Sequence, residues 1–249
     1  MSPRDGYYRK AKREGYRARS AYKLQQIDDE VDLFDADDVV VDLGAAPGGW
    51  LQVASERAGR VVGVDIQEID EIDGVDTVQG DVTEDATVER LRDAVDEADV
   101  VVSDMAPDVT GEWSVDHARS VHLARTALDV ALNLLRGGGS FVVKVFQGRE
   151  LDGFRDEVER EFEDVRTVVP DASRDESSEV YVVGLRRLTA PVRVGDVVEV
   201  EVESEGDEGD GVARVEGFVV FVPDTEAGDD VEVEVTEVHR RFARATKTG

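Results

Sequence analysis

"VVVDLGAAPGGW", residues 39–50, passes from three valines through one carboxylate into a turn of small residues and on to a tryptophan. A strand that ends in such a turn and opens a helix lets a ligand approach the backbone, which is how α/β folds hold nucleotide-like molecules. Outward from this stretch, β-branched runs alternate with helical patterns through the first 188 residues. Strands are expected at residues 39–43, 61–65, 75–79, 100–104, 141–146, 165–169 and 180–185. Helices are expected from about residue 49, over 85–97, over about 117–135 and over 153–162, with the Gly137-Gly138-Gly139 run as a turn. This alternation implies a doubly wound α/β sheet, and the last two strands, with no helix between them, should pair antiparallel at one edge. After Arg187 the texture changes to alternating valines with frequent Gly and Asp and no helical stripe, which predicts a small all-β barrel of five short strands. Two domains follow, residues 1–188 and 189–249, with Pro191 opening the second unit.

The 249 residues contain 58 acids against 29 bases, a net charge of -29. Such a chain self-repels in dilute buffer, and the excess is typical of proteins that work in concentrated salt. Its 41% hydrophobic content and periodic segments argue against an acidic disordered chain. With no cysteine there is no disulfide framework, thiolate metal site or cysteine nucleophile. No apolar run approaches the roughly 18 residues of a membrane span, so a cytoplasmic protein without a membrane partner is expected. The bases are concentrated in residues 1–24, where eight stand against two acids. A basic arm on an acidic protein suggests a polyanionic partner on that side.

The turn Gly44-Ala45-Ala46-Pro47-Gly48-Gly49 lacks the middle glycine of the dinucleotide fingerprint, which disfavours a nicotinamide oxidoreductase. Asp65 ends the second strand 17 positions after Gly48, where a carboxylate meets ribose hydroxyls. Asp42, Asp81 and Asp104 add carboxylates at the same edge of the sheet. They would repel a pyrophosphate and attract a sulfonium and an ammonium, the charges of S-adenosylmethionine. Methyl transfer to a ribose hydroxyl also needs a base. Lys144 lies inside the apolar strand "SFVVKVF", where burial disfavours a bare ammonium and so prepares a lysine for that work. Val143 and Val145 face away from it, and alternation alone leaves Lys144 directed either to a cleft or to solvent.

The stretches "RARSAYKL", "VVVDLGAAPGGW", "GDV", "VVSDMAPDVTG", "GGSFVVKVFQG" and "SSEVYVV", collinear from about Tyr7 to Leu185, together resemble the FtsJ/RlmE family of ribosomal RNA 2'-O-ribose methyltransferases. The resemblance implies a Rossmann-like class I S-adenosylmethionine-dependent methyltransferase fold whose last strand is antiparallel. It further implies a Lys-Asp-Lys-Glu tetrad at Lys23, Asp104, Lys144 and Glu179. Lys144 would be the proton acceptor, Asp104 and Glu179 would position it, and Lys23 would help orient the acceptor hydroxyl. Gly48, Trp50, Asp65, Asp81 and Asp104 would line the S-adenosylmethionine site. In a doubly wound sheet these strand-end positions converge at one mouth, and two ammoniums beside two carboxylates titrate as a coupled set. Lys23 lies off the stripe Leu24, Ile27, Val31, behind Ser20 as a helix cap.

On the RNA side, Tyr7, Tyr8 and Tyr16 are interleaved with the basic arm, and Trp113 follows Asp104 in a loop that could close over an acceptor. The C-terminal segment resembles a TRAM domain, of haloarchaeal type in its acidity, since residues 192–238 hold 16 acids and only Arg193 and Arg214 as bases. RNA contacts are therefore expected to be narrow, at Arg214, Phe218, Phe221, Arg240, Arg241 and Arg244. His117, His122 and His239 form no ligand cluster, so no metal is expected, and the first two, five apart on a helix, read as solvated. The implied substrate is a uridine in large-subunit ribosomal RNA or a precursor of that subunit, met by a monomer. Transfer RNA or another RNA as substrate, or a catalytically vestigial RNA-binding ribosome-assembly factor, are the alternatives; the intact tetrad disfavours the second.

Overall fold

The computed structural model describes residues 4–107, 110–173, 178–206, 209–239 and 241–248. Two helices open the chain, α1 (Arg4–Glu14) and α2 (Ala21–Val31). Then follow β1 (Val39–Leu43), α3 (Gly49–Ser55), β2 (Arg60–Asp65), β3 (Val75–Gln79), α4 (Asp85–Val95), β4 (Ala98–Ser103), α5 (Trp113–Leu134), β5 (Leu135–Phe146), α6 (Leu151–Glu159), β6 (Phe162–Val168) and β7 (Glu179–Arg187). Among the described residues these strands form a seven-stranded sheet in the order β3-β2-β1-β4-β5-β7-β6. The order reverses between β1 and β4, which opens a crevice at their carboxyl ends. β7 is the antiparallel member, inserted between β5 and β6. No helix among the described residues is long and apolar enough to cross a membrane.

Strand alternation divides the core into two layers. Val41, Leu43, Val101, Val143 and Val145 pack against Leu91, Val121, Leu128 and Phe154 of α4, α5 and α6. Val40, Val102, Val142, Tyr181 and Val183 pack against Leu24, Ile27, Trp50 and Leu51 of α2 and α3. Burying such side chains contributes about 1.5–3 kcal/mol each, so both faces of the sheet are firmly covered. Two local expectations need correction. Gly137, Gly138 and Gly139 lie within β5 rather than in a turn before it. A Cβ at Gly139 would stand 2.8 Å from the carbonyl of Asp99, and one at Gly137 would stand 2.9 Å from Thr189, so glycine here serves close approach. Ser20 makes no side-chain capping bond to α2.

After Leu188 come β8 (Val197–Glu205), β9 (Gly211–Val215), β10 (Phe218–Val222), β11 (Asp230–Val238) and β12 (Phe242–Lys247). They close a barrel in the order β10-β12-β11-β8-β9 around Val200, Ala213, Val220, Val222, Val233, Val235, Ala243 and Ala245. The outward positions of β8 and β11 carry Glu199, Glu201, Glu232 and Glu234, which gives the clean in-out alternation of a small barrel. Arg193 fastens the barrel to the sheet domain by pairing with Glu161 at 3.2 Å.

Candidate active site

Lys144 of β5 shares the parity of Val142, and Glu179 shares that of Tyr181 and Val183, so all three polar side chains emerge on the α2-facing side of the sheet. There they meet Lys23, whose helix delivers it into the same layer. Alternation leaves Lys144 two directions; in the structure it is 6% exposed and turned to Asp104, which lines the cleft. Its Nζ stands 2.9 Å from Asp104 Oδ1 and donates to the Asp104 carbonyl at 2.5 Å. Lys23 Nζ lies 2.6 Å from Glu179 Oε1 and 3.8 Å from Asp104 Oδ1. The four residues Lys23, Asp104, Lys144 and Glu179 thus form one continuous chain of alternating charge at the mouth of the crevice.

A fifth member, Tyr181, was not singled out from the sequence. Its hydroxyl donates to Asp104 Oδ1 at 2.7 Å, and its ring lies 5.6 Å below Lys23 Nζ. Burial, then the charges of Asp104 and Glu179, push its phenol well above the usual range, so it stays a donor. The period of two from Glu179 was the available signal. In an apolar strand, however, a tyrosine reads first as core.

A cleft of about 470 Å³ opens beside this cluster, lined by Gly44, Asp65, Ile66, Asp81, Val82 and Asp104 among others. Asp65 accepts from the N–H of Ala46 at 3.0 Å and of Gln67 at 2.8 Å, which ties the small-residue turn to the end of β2. Asp81 accepts the N–H and hydroxyl of Thr83, and these bonds hold its carboxyl below the usual range. Gly44 has φ +77°, and a Cβ on it would strike Met105. An inner annex of about 50 Å³ continues the cleft between Asp42, Pro47, Trp50 and Asp104. Trp50 is buried there, donating from Nε1 to the Ser20 carbonyl at 2.8 Å. Gly48 lines neither space. It shapes the turn between Pro47 and Gly49 at φ +103°, covered by Ile72 and Arg17.

The expected RNA-side residues divide. Tyr8 and Trp113 are exposed, at 64% and 54%. Tyr7 and Tyr16 instead pack on Tyr22, with ring centroids 5.4 and 5.5 Å away. On the barrel, Phe221 meets Phe242 edge-on and lies opposite Arg244 in the β10–β12 pair. Arg214 reaches Glu203 and Arg244 reaches Glu237, while Arg240 lies outside the described residues. The solvated reading holds for His122 but not for His117, which is buried. His117 Nε2 accepts the N–H of Glu150 at 3.1 Å, so Nδ1 carries the proton and donates to the Phe146 carbonyl at 3.0 Å. Its partners are backbone atoms, which no side-chain pattern announces. Among the described residues no group of three or more His, Asp or Glu side chains is placed to hold a metal ion.

Comparison with known proteins fits this geometry. Residues 16–187 match the family described as FtsJ-like methyltransferase, and residues 191–248 match the TRAM domain. The chain is 60% identical to the ribosomal RNA large subunit methyltransferase E of Natronomonas pharaonis over 98% of both chains. It is also 60% identical to the protein of that name from Halorubrum lacusprofundi, covering 99% of this chain and 94% of the relative. A Plasmodium falciparum crystal structure described as a ribosomal RNA methyltransferase superposes with a TM-score of 0.63 at 25% identity, over 69% of this chain and 98% of that one.

Proposed function

Because the chain belongs to the FtsJ-like methyltransferase family and ends in a TRAM domain, we propose that it methylates the ribose 2'-hydroxyl of a uridine in large-subunit ribosomal RNA, with S-adenosylmethionine as donor. The observation that carries this reading is the Lys23, Glu179, Asp104, Lys144 chain of charge beside a cleft rimmed by carboxylates. The cleft fits the donor chemically. It is large enough for a nucleoside, has the apolar walls Ile66 and Val82 for a base, and offers carboxylates rather than phosphate-binding amines. Asp65 and Asp81 would hold the sugar, while Trp50, Gly48 and Asp104 would shape the end nearest the acceptor. When bound, the donor supplies an electrophilic methyl carbon on a positively charged sulfur.

Lys144, as its free amine, would take up the proton that the 2'-hydroxyl loses on methylation. Asp104, itself held by the Tyr181 hydroxyl, fixes the amine, and Lys23, held by Glu179, would orient the acceptor oxygen. The basic arm with Tyr8, the exposed Trp113, and the barrel face around Arg214, Phe218, Phe221, Arg241 and Arg244 grip the RNA. We place the domain boundary at Leu188 and the activity in the cytoplasm, in a monomer. Mapping ribose 2'-O-methyl groups on large-subunit ribosomal RNA from cells with and without the gene tests the reading. Loss of one site is expected; an unchanged map rejects it.

A further inference from the structure

Beyond Lys144, β5 passes through residues 147–150 into α6, at the sheet edge where Glu179 begins β7. The connection is tied down by its backbone. The N–H of Gln147 donates to the carbonyl of Ser178 at 2.7 Å, next to Glu179. The N–H of Glu150 donates to His117 Nε2 at 3.1 Å, and that of Leu151 to the Gly148 carbonyl at 3.3 Å. His117 also packs against Gly148, where a Cβ would stand 2.5 Å from its ring. The loop is therefore fixed without help from the Arg149 side chain. That side chain is exposed and, among the described residues, has no ion pair or hydrogen bond. On a chain with 58 acids against 29 bases this needs a reason. Arg57, Arg136, Arg186 and Arg193 each hold a carboxylate. Even the neighbouring Glu150 meets Arg125, at 3.8 Å, rather than Arg149. A fixed loop that presents an uncommitted guanidinium is preorganised for an anion from outside the chain.

The chemistry next to it says which anion. A ribose brought to Lys144 carries phosphates on both sides, and the carboxylates of Asp65, Asp81 and Asp104 on the cleft repel them. Arg149 follows Lys144 by five residues, at most about 18 Å of extended chain, and phosphates recur about every 3.4 Å along a stacked strand. Its guanidinium thus falls within a few nucleotides of the ribose. We propose that residues 147–150 form the phosphate-binding edge of the acceptor site, in which Arg149 grips a phosphate flanking the methylated ribose while His117 holds the loop from behind. The inference rests on the RNA methyltransferase reading above. In concentrated salt, where the Debye length is about 3 Å at 1 M, only such a direct contact distinguishes this edge from the acidic surface around it.

Methyl transfer by the full chain to large-subunit ribosomal RNA from cells lacking the gene, measured over a series of KCl concentrations, tests this. Arg149→Gln is expected to raise KM for RNA about tenfold, the effect of one charge-assisted contact, with kcat and donor affinity as in wild type. The plot of log KM against log salt should also lose about 0.7–0.9 of its slope, the counterions released by one phosphate. Arg149→Lys should recover that slope. Arg160→Gln, which removes an equal charge from the far end of α6, should leave KM and slope unchanged. Unchanged donor affinity reports that each variant folds. An Arg149→Gln protein with wild-type KM, one whose KM rises with the slope intact, or an equal rise in Arg160→Gln overturns the proposal. A wild-type protein that transfers no methyl group to this RNA overturns the reading beneath it, a result distinct from the other three.

Discussion

Asp104 receives a Lys144 bond on its carboxylate, another on its own carbonyl, and the Tyr181 hydroxyl on the same carboxylate oxygen. The amine is therefore held from two directions. Lys144→Ala should lower methylation by about 10²–10⁴-fold, the usual worth of a general base, while calorimetry shows cofactor binding retained; near-normal turnover would remove the base from the mechanism. Asp42 makes a prediction about stability. Its folded-state pKa lies above the unfolded value, so the folded chain binds the extra proton. Its contribution is full below the ordinary carboxylate range and is lost as pH rises through the raised pKa. Asp42→Asn should then melt above wild type at pH 8, with the gap closing toward pH 4, in thermal scans. The candidate tetrad was legible because three members stand at or near strand ends and the surrounding motifs fixed their order. Tyr181 and His117 were not, since one looks like apolar filling and the other answers only to backbone groups.

At the scale of elements, the first turns of α5 hold both lips of the mouth. Asp116 accepts the N–H and hydroxyl of Thr110 and the N–H of Gly111, which secures the loop after β4. Ser120 accepts the N–H of Phe146 at 2.9 Å, and His117 fixes the same carbonyl end of β5. Asp116→Ala should raise hydrogen exchange and proteolysis in the loop after β4 and lower kcat/KM for RNA several-fold, with donor affinity unchanged. A variant with wild-type exchange in that loop would assign Asp116 no positioning role. The strands themselves were readable, because β-branched runs bounded by Gly and Asp leave few other choices. The triple glycine misled because glycine runs ordinarily break strands. In β5 the lack of side chains admits the Asp99 carbonyl and Thr189, a tertiary demand invisible locally.

For the whole molecule, a net charge of -29 on 249 residues makes low salt hostile. The Debye length falls from about 10 Å at 0.1 M to about 3 Å at 1 M, so the midpoint of thermal unfolding should rise steadily between 0.1 and 2 M KCl. A midpoint independent of salt would mean the acids are already compensated. The composition showed this and the basic arm directly, but which aromatics of that arm face outward depended on Tyr22, whose packing no count reveals. Removing residues 189–249 should weaken RNA affinity by about tenfold or more, equivalent to about 1.4 kcal/mol, and unchanged affinity would reject the anchoring role of the barrel. The barrel and the amine are also joined by one piece of backbone. β5 starts where Gly137 touches Thr189 at the junction and runs to Lys144, roughly 20 Å away at the rise of an extended chain. A strand hydrogen-bonded on both sides neither stretches nor folds, so it works as a measuring rod. On the proposed function, RNA held by the barrel would present to Lys144 the nucleotide that lies at that reach, and lengthening the rod would change the address that is read.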